Sequence, residues 1–325
     1  MSTKAVIDVG TNSIKLLVAD DSSGGPLVRF DGSVVARLGE GVGELGLLGD
    51  AAMSRALDVI ADMADRARSM GADEIMAVGT QAMRRAKNSA DFIRMVESRC
   101  GVYIRVIDGD EEAYLSFRAA IASLPHEEGD VSPICLFDVG GGSSEIVRGD
   151  GKSVLFRRSV PVGALSLRDK FFITNKERQL SGEANVNEDI LGVAADYIRS
   201  LLELECGGEF GKTPGRGGLC VGVGGTITTM AAVRLGLEGE NYGLQCGVFL
   251  DMREVERQIA LYSSSDESSR GMIKGLPPER ADIILPGACI IKALMRFCGF
   301  DKLAVSSHGL RHGVMDTIIR ASRYD

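Results

Sequence analysis

Two turns in this sequence carry residue types suited to phosphate and to divalent cations. Residues 4–19 read KAVIDVGTNSIKLLVA, and residues 134–149 read ICLFDVGGGSSEIVRG. At a constant offset of 130, Asp8 falls on Asp138, Val9 on Val139, Gly10 on Gly140 and Ser13 on Ser143. In each copy an apolar, β-rich run enters an Asp-x-Gly turn, passes small hydroxyl residues and leaves through a second apolar run. That is the pattern of two strands joined by a tight turn. Glycine lets backbone approach a ligand closely, and successive N–H groups in such a turn form a concavity for anions. Candidate phosphate ligands are therefore Thr11, Asn12 and Ser13 in the first turn, and Gly140, Gly141, Gly142, Ser143 and Ser144 in the second. The aspartate ending each entering strand, Asp8 or Asp138, offers a hard carboxylate to a metal ion or its water. For either turn alone the plain alternative is an Asx-type hairpin; the match between the two favours chemistry.

A third junction, Gly222-Val223-Gly224-Gly225-Thr226, runs from a strand into a helix whose N-terminus can hold phosphate, although the same residues also make a simple tight turn. Around these turns the apolar pattern alternates between periods. Helices are predicted over 51–70, 89–100, 110–122, 182–204, 226–235, 251–262, 281–297 (bent at Pro286) and 310–322. Strands are predicted over 74–78, 102–107, 154–161, 219–223 and 303–306, so the fold class is α/β in layers. Leu124–Ser132, reading LPHEEGDVS, is the candidate linker.

The chain has 325 residues, about right for two domains of roughly 100–200 residues each. With 37 basic against 45 acidic residues, no tryptophan and 5% aromatics, it offers neither a basic stripe nor a base-stacking platform, which argues against a nucleic-acid binder. The apolar run IILPGACIIKALMRFCGF is broken by Pro286, Lys292 and Arg296, so no membrane span is expected. No signal-peptide core precedes Asp8, and the seven cysteines include no C-x-x-C pair; reduced, mostly buried thiols in a cytoplasmic protein are the expectation. His126, His308 and His312 lack metal-ligand spacing and are read as structural or surface residues.

The two Asp-Gly hairpins and the Gly-Gly-Thr junction resemble the actin/Hsp70/sugar-kinase superfamily. Within it, IDVGTNSIKLLVA, VGTQAMRRAKNS, GDEEAYLSF, DVGGGSSEIV, VGVGGTITTMAA, ERADIILPG and VSSHGLRHGVM resemble the exopolyphosphatase/guanosine pentaphosphate phosphohydrolase family, in order over about residues 5–315. This resemblance implies two duplicated actin-like (ribonuclease H-like) domains with an active-site cleft between them. The first would be residues 1–124 with 303–325, and the second residues 125–302, with a hinge near the 110–122 helix. It implies metal-assisted release of terminal phosphate from inorganic polyphosphate or from the 5′ end of pppGpp. Glu112 matches the family's catalytic carboxylate, with Glu111 beside it. Asp138 and Glu145 match the acidic pair tied to Mg²⁺ or another divalent ion, with Asp8 ranked below them. Thr11, Asn12 and Ser13 match the first phosphate loop, Gly224, Gly225 and Thr226 join the phosphate-binding set, and Arg84 matches a phosphate-contacting arginine. The partners implied are polyphosphate or pppGpp and a second copy of the chain, with no nucleic acid and no membrane.

Read without that resemblance, Glu111 and Glu112 are equally first-turn helix acids, Arg84, Arg85 and Lys87 a solvated charge run, and Lys15 either a surface or a cleft residue. Tyr114 stands where many relatives carry arginine, and His308 where aspartate is more usual. Because the further helical domains of longer relatives are not in this sequence, short to medium chains are the expected polyphosphate substrates; because no dedicated guanine-reading element is identifiable, polyphosphate is expected ahead of pppGpp. A non-catalytic alarmone sensor and a sugar or acetate kinase are the competing functions; Glu112, Asp138 and Glu145 argue against the sensor, and the Glu-Glu-Ala context with the Gly-Leu-Arg ending favours the hydrolase over the kinase.

Overall fold

The computed structural model describes residues 2–22, 25–42, 46–123, 133–150, 153–172, 187–210, 218–237 and 247–322. These fall into two compact units, Met1–Ala119 with His308–Asp325, and Ala120–Ser307.

In the first unit, β1 (Thr3–Val9) pairs antiparallel with β2 (Ser13–Ser22), and β2 antiparallel with β3 (Gly25–Val35). On its other side β1 runs parallel to β4 (Ala72–Gly79), which runs parallel to β5 (Ile104–Val106). The sheet order is thus β3-β2-β1-β4-β5. Helices α1 (Asp50–Ser69), α2 (Gln81–Arg85), α3 (Ser89–Cys100) and α4 (Gly109–Ala122) fill the connections. Strand side chains alternate between faces, and both faces are covered. Ala5, Ile7 and Val9 pack with Ala56 and Ile60 of α1 and Phe92 of α3. Val6, Leu17 and Val78 pack with Leu115 of α4 and with Leu310, Val314 and Ile318 from the end of the chain.

The second unit repeats this plan. β6 (Ile134–Val139), β7 (Ser144–Gly149) and β8 (Val154–Val160) form the antiparallel half of a sheet. β9 (Leu219–Val223) runs parallel to β6, and β11 (Lys302–Val305) parallel to β9. Read from the antiparallel side, β8-β7-β6-β9-β11 reproduces the order of the first sheet, with β10 (Phe249–Asp251) added at the edge. This is the duplicated arrangement of mixed α/β sheets that the resemblance implies. α5 (Ala164–Leu167), α6 (Asn187–Phe210), α7 (Gly225–Leu235), α8 (Met252–Ser263) and α9 (Ile284–Cys298) complete the unit. Phe137, Ile146, Ile198, Ile227, Tyr262 and Ile290 share its core. The last helix, α10 (Leu310–Ala321), belongs to the first unit.

Several expectations are corrected. The chain does not return to the first unit at 303: β11 is a strand of the second sheet, and only the segment from His308 onward is shared with the first unit. A four-residue strand says nothing about which sheet it will join, and the parallel slot beside β9 claims it. The first crossing falls at Ala119/Ala120, inside the last turns of α4, rather than at 124/125. The candidate linker Leu124–Ser132 lies outside the described residues, as do residues 182–186 of one predicted helix and His126. Pro286 sits in the first turn of α9, where its missing N–H is needed by no intrahelical bond, so it demands no bend. Strand β3 went unpredicted because its burial does not alternate cleanly: Leu27, Val28 and Val34 are all exposed. Six cysteines among the described residues carry free thiols, five of them buried. No described helix is long and apolar enough to cross a membrane.

Candidate active site

Both glycine turns are held open in the same way. In each, the N–H of the first glycine donates to the serine carbonyl three residues on, Gly10 to Ser13 at 3.1 Å and Gly140 to Ser143 at 3.0 Å. The carbonyls in between are occupied from behind. The carbonyl of Thr11 accepts from Gly39 N at 2.9 Å, and that of Asn12 from Ala36 N and Arg37 N at 3.0 and 2.8 Å. In the second turn Gly140 O accepts from Ala164 N at 2.9 Å, and Gly141 O from Leu165 N and Ser166 N at 2.8 and 3.0 Å. The hydroxyl of Ser166 donates to Gly142 O at 3.3 Å. In a trans peptide the N–H opposes the C=O. Fixing these carbonyls therefore directs the N–H groups of Asn12 and Ser13, and of Gly141, Gly142 and Ser143, to the opposite side. Each turn becomes a row of aimed donors, a concavity able to take an anion.

The clamping segments come within backbone contact of the turns. A Cβ on Gly163 would lie 2.5 Å from Gly141 C and Gly142 N, and one on Gly39 would lie 2.2 Å from Thr11 Cγ2. Sequence reasoning missed both segments because they act through main-chain groups. The one available signal was a glycine soon after the third strand of each repeat.

Across the first hairpin Asp8 is paired in register with Lys15, and Lys15 Nζ lies 3.3 Å from Asp8 Oδ2. Across the second, Asp138 is paired in register with Glu145. Directly opposed residues share a face with Cβ atoms about 4.5–5.5 Å apart, and like charges so placed repel. Glu145 is 1% exposed, and its Oε1 accepts from the hydroxyls of Ser143 and Ser159 at 2.8 and 2.7 Å. Backbone closes in on Asp138: a Cβ on Gly224 would fall 3.0 Å from Asp138 Oδ1, and Gly224 has φ of +99°. A left-handed residue pressed against a carboxylate has to be glycine. Two hard oxygen donors on one face, one deeply buried, fit Mg²⁺, which binds through one or two carboxylates and completes its shell with water and phosphate. Among the described residues no group of three or more His, Cys, Asp or Glu forms an all-protein cage.

The structure brings Glu112 and Arg84 together. α4 begins after Asp108, whose Oδ1 accepts from Glu111 N at 2.7 Å, and this places Glu112 in the first turn, 8% exposed. α2 follows the end of β4, and from it Arg84 Nη1 donates to Glu112 Oε2 at 2.6 Å and to Ile107 O at 3.0 Å. Glu111, one position earlier on the helix, points elsewhere. It makes a two-pronged pair with Arg105 at 2.6 and 2.9 Å, on the exposed side of β5. Thr11, Asn12 and Ser13 are all buried, and Asn12 Oδ1 has no hydrogen-bond partner among the described residues.

At the third junction Thr226 is buried in the first turn of α7, with Gly287 of α9 packed against it: a Cβ there would lie 2.4 Å from Thr226 Cγ2. Sequence reasoning also missed Arg280. A Cβ on Gly225 would fall 2.1 Å from Arg280 Nη1, so the guanidinium lies on the opening peptide of α7, and burial lowers its pKa from the ordinary arginine value. A cation set at the positive end of a helix is unfavourable by itself and becomes favourable with an anion between. Arg280 belongs to the run ERADIILPG, and its distance from Gly225 in sequence hid the contact.

His308 and His312 stack with ring centroids 4.1 Å apart, and His312 Nε2 lies 3.4 Å from Asp31 Oδ2. Burial, helped by Arg311 and His308, pushes His312 down to about 4 against the opposing pull of Asp31. Burial alone would raise Asp31, but hydrogen bonds from His312 and from the two-pronged Arg311 hold it far below the usual carboxylate range.

Comparison with known proteins shows what the whole chain is similar to. The chain is 30% identical over 332 residues to an exopolyphosphatase 2 of Mycobacterium tuberculosis, covering 95% of this chain and 96% of that protein. It is 27% identical over 322 residues to a guanosine-5′-triphosphate,3′-diphosphate pyrophosphatase of Vibrio cholerae, covering 99% of this chain and 60% of that one. It spans only 45–60% of the length of several other curated relatives it matches. Among solved structures, an exopolyphosphatase from Cytophaga hutchinsonii superimposes with a TM-score of 0.86 at 25% identity, over 98% of both chains. A family model for Ppx/GppA phosphatases matches residues 17–321, taking in both units. The chain is a member of the Ppx/GppA phosphatase family.

Proposed function

We propose that this protein releases orthophosphate from the ends of inorganic polyphosphate in a reaction that depends on a divalent cation, with short to medium chains preferred. The observation that carries the reading is Glu112, a buried carboxylate held at 2.6 Å by Arg84. Phosphoryl transfer asks a protein for positioning, charge neutralisation and an aligned nucleophile rather than covalent chemistry. In this reading Glu112 accepts a hydrogen bond from the attacking water and takes its proton. Arg84 keeps that carboxylate oriented through Nη1 and offers the rest of its fork to phosphate oxygens. The N–H groups of Asn12 and Ser13, and of Gly141, Gly142 and Ser143, receive phosphate oxygens, and Arg280 adds charge at the start of α7. Asp138 and Glu145 would hold the cation, which when bound supplies positive charge to the phosphate oxygens. Asp8, already neutralised by Lys15, ranks behind them.

The named Vibrio cholerae relative supports a second reading, removal of the 5′-phosphate of pppGpp. Phosphate release with Mg²⁺ from tripolyphosphate, a medium polyphosphate and pppGpp, measured in parallel, ranks the two. Glu112→Gln is expected to lower kcat by about 10²–10⁴-fold. A variant as active as the unaltered protein would remove Glu112 from the chemistry. Binding without release from any substrate would make the protein a sensor.

A further inference from the structure

We propose that Arg168 is a positioning residue for phosphate binding: through Asp282 it fixes the Arg280 turn to α5, the same element that clamps the Gly140–Gly142 carbonyls. The proposal deepens the reading above and rests on it for the identity of the ligand, a phosphoanhydride.

Arg168 follows directly on α5 and is 5% exposed. Its Nε and Nη2 donate to Asp169 Oδ1 at 2.9 and 2.7 Å, while Nη1 donates to Asp282 Oδ2. Burial works against the guanidinium, yet the two aspartates outweigh it and its pKa stands above the ordinary value. A buried ion pair is a poor source of net stability, because desolvation offsets most of the attraction. What a guanidinium fork supplies well is geometry, since its donors are planar and fixed.

The geometry it fixes is specific. Asp282 lies two residues beyond Arg280, and Ile283 N donates to Arg280 O at 3.2 Å, so the turn between them is closed on itself. Ile283 packs with Ala164 and Leu165 of α5, a second anchor beside the ion pair. The N–H groups of Ala164, Leu165 and Ser166 are the donors that turn the Gly140 and Gly141 carbonyls. One element therefore sets two phosphate-facing features at once, the row of N–H groups in the second turn and the Arg280 guanidinium over Gly225.

The test uses the full chain with Arg168→Lys, which keeps the charge but loses the fork, and Asp282→Asn, which keeps the shape but loses the charge. Arg280→Ala and the Asp282→Asn/Arg280→Ala double variant complete a cycle. Two readouts are taken: steady-state phosphate release from tripolyphosphate with Mg²⁺, and calorimetric binding of tripolyphosphate in EDTA, where no metal contributes. We expect each of Arg168→Lys and Asp282→Asn to raise KM and Kd by about 10-fold, with kcat changed less than about 3-fold. In the Arg280→Ala background, Asp282→Asn should add less than about 2-fold, because residues acting through one another are not additive. If both single variants fold and KM and Kd stay unchanged, the proposal is overturned. It is also overturned if Asp282→Asn keeps its whole effect in the Arg280→Ala background. Should Asp282→Asn fail to fold, Arg168→Lys alone decides, by the same shift in Kd. An unaltered chain that binds tripolyphosphate but releases no phosphate would refute the hydrolase reading and leave the binding arm to judge Arg168. A chain that neither binds tripolyphosphate in EDTA nor releases phosphate from it with Mg²⁺ refutes both, and one that releases phosphate with Mg²⁺ but shows no binding in EDTA leaves KM to judge Arg168.

Discussion

The two hairpins share a backbone and differ in one exchanged charge. In the first, Asp8 faces Lys15 and the pair is neutral. In the second, Asp138 faces Glu145 and two negative charges share one face. Both turns have their carbonyls clamped from behind and their N–H groups aimed outward. On the function proposed above, the same scaffold would receive anions alone in one copy, and a cation together with an anion in the other. A duplicated fold need not duplicate its chemistry: the strand register fixes where a side chain sits, and its sign decides what arrives.

The sharpest way to break this comparison is at Glu145. Glu145→Gln keeps acceptors for Ser143 and Ser159 but removes a charge, and kcat should fall by about 10³-fold, the several kcal/mol that a metal's charge stabilisation supplies. Melting curves with and without Mg²⁺ should show the cation's stabilising shift in the unaltered protein and not in the variant. Undiminished Mg²⁺ dependence in Glu145→Gln would end the division of labour between the turns. Next comes the clamp. Gly163→Ala drives a Cβ into the Gly141–Gly142 peptide, whereas Gly39→Ala meets the Thr11 methyl, a side chain that can rotate. The first should cost about 10²-fold in kcat/KM and the second about 10-fold, since displaced backbone relaxes less readily than a side chain. Equal losses would mean that the two clamps are interchangeable.

The smallest expected effect concerns acid. The half-buried stack at His312 belongs to the first unit. Because the folded pKa of His312 is lowered to about 4 from 6.5, the unfolded chain binds the extra proton first as pH falls. Stability present above pH 6.5 is lost toward pH 4, amounting to about 2 kcal/mol between pH 6.5 and 5. Asp31 pulls the same way at still lower pH, below the usual carboxylate range. Chemical unfolding of His312→Phe should show a flatter acid limb over pH 5–6.5 than the unaltered protein. An identical limb in the variant would place the acid sensitivity elsewhere.

Much of this was legible in the sequence because it was written twice. The offset of 130 exposed both hairpins, and with them Asp8, Asp138 and the serines of the turns. Long amphipathic helices such as α1 and α3 were clear from their spacing. What stayed hidden depends on contacts that spacing does not encode. The orientation of Lys15 emerged only from the strand register. The clamps at 36–39 and 163–166 work through main-chain donors, which every residue but proline carries. Arg280 and Gly225 are joined by folding across more than fifty positions. The separation of Glu111 from Glu112 follows from their different angles on α4, visible once Arg105 and Arg84 have places.

The clamps also bear on how this protein can vary over generations. The donors that open the phosphate turns are the N–H groups of residues 36, 37 and 39 in one unit and of 164, 165 and 166 in the other. Ala36, Ala164 and Leu165 are buried, Arg37 holds φ of +52° and Ser166 also lends its hydroxyl to Gly142 O, but a change of side chain at any of them leaves the N–H donor itself in place. Proline is the exception, since it deletes the donor outright. The clamp is therefore written mainly in main chain, and what its side chains must satisfy is the packing around them rather than the hydrogen bonds to the turns.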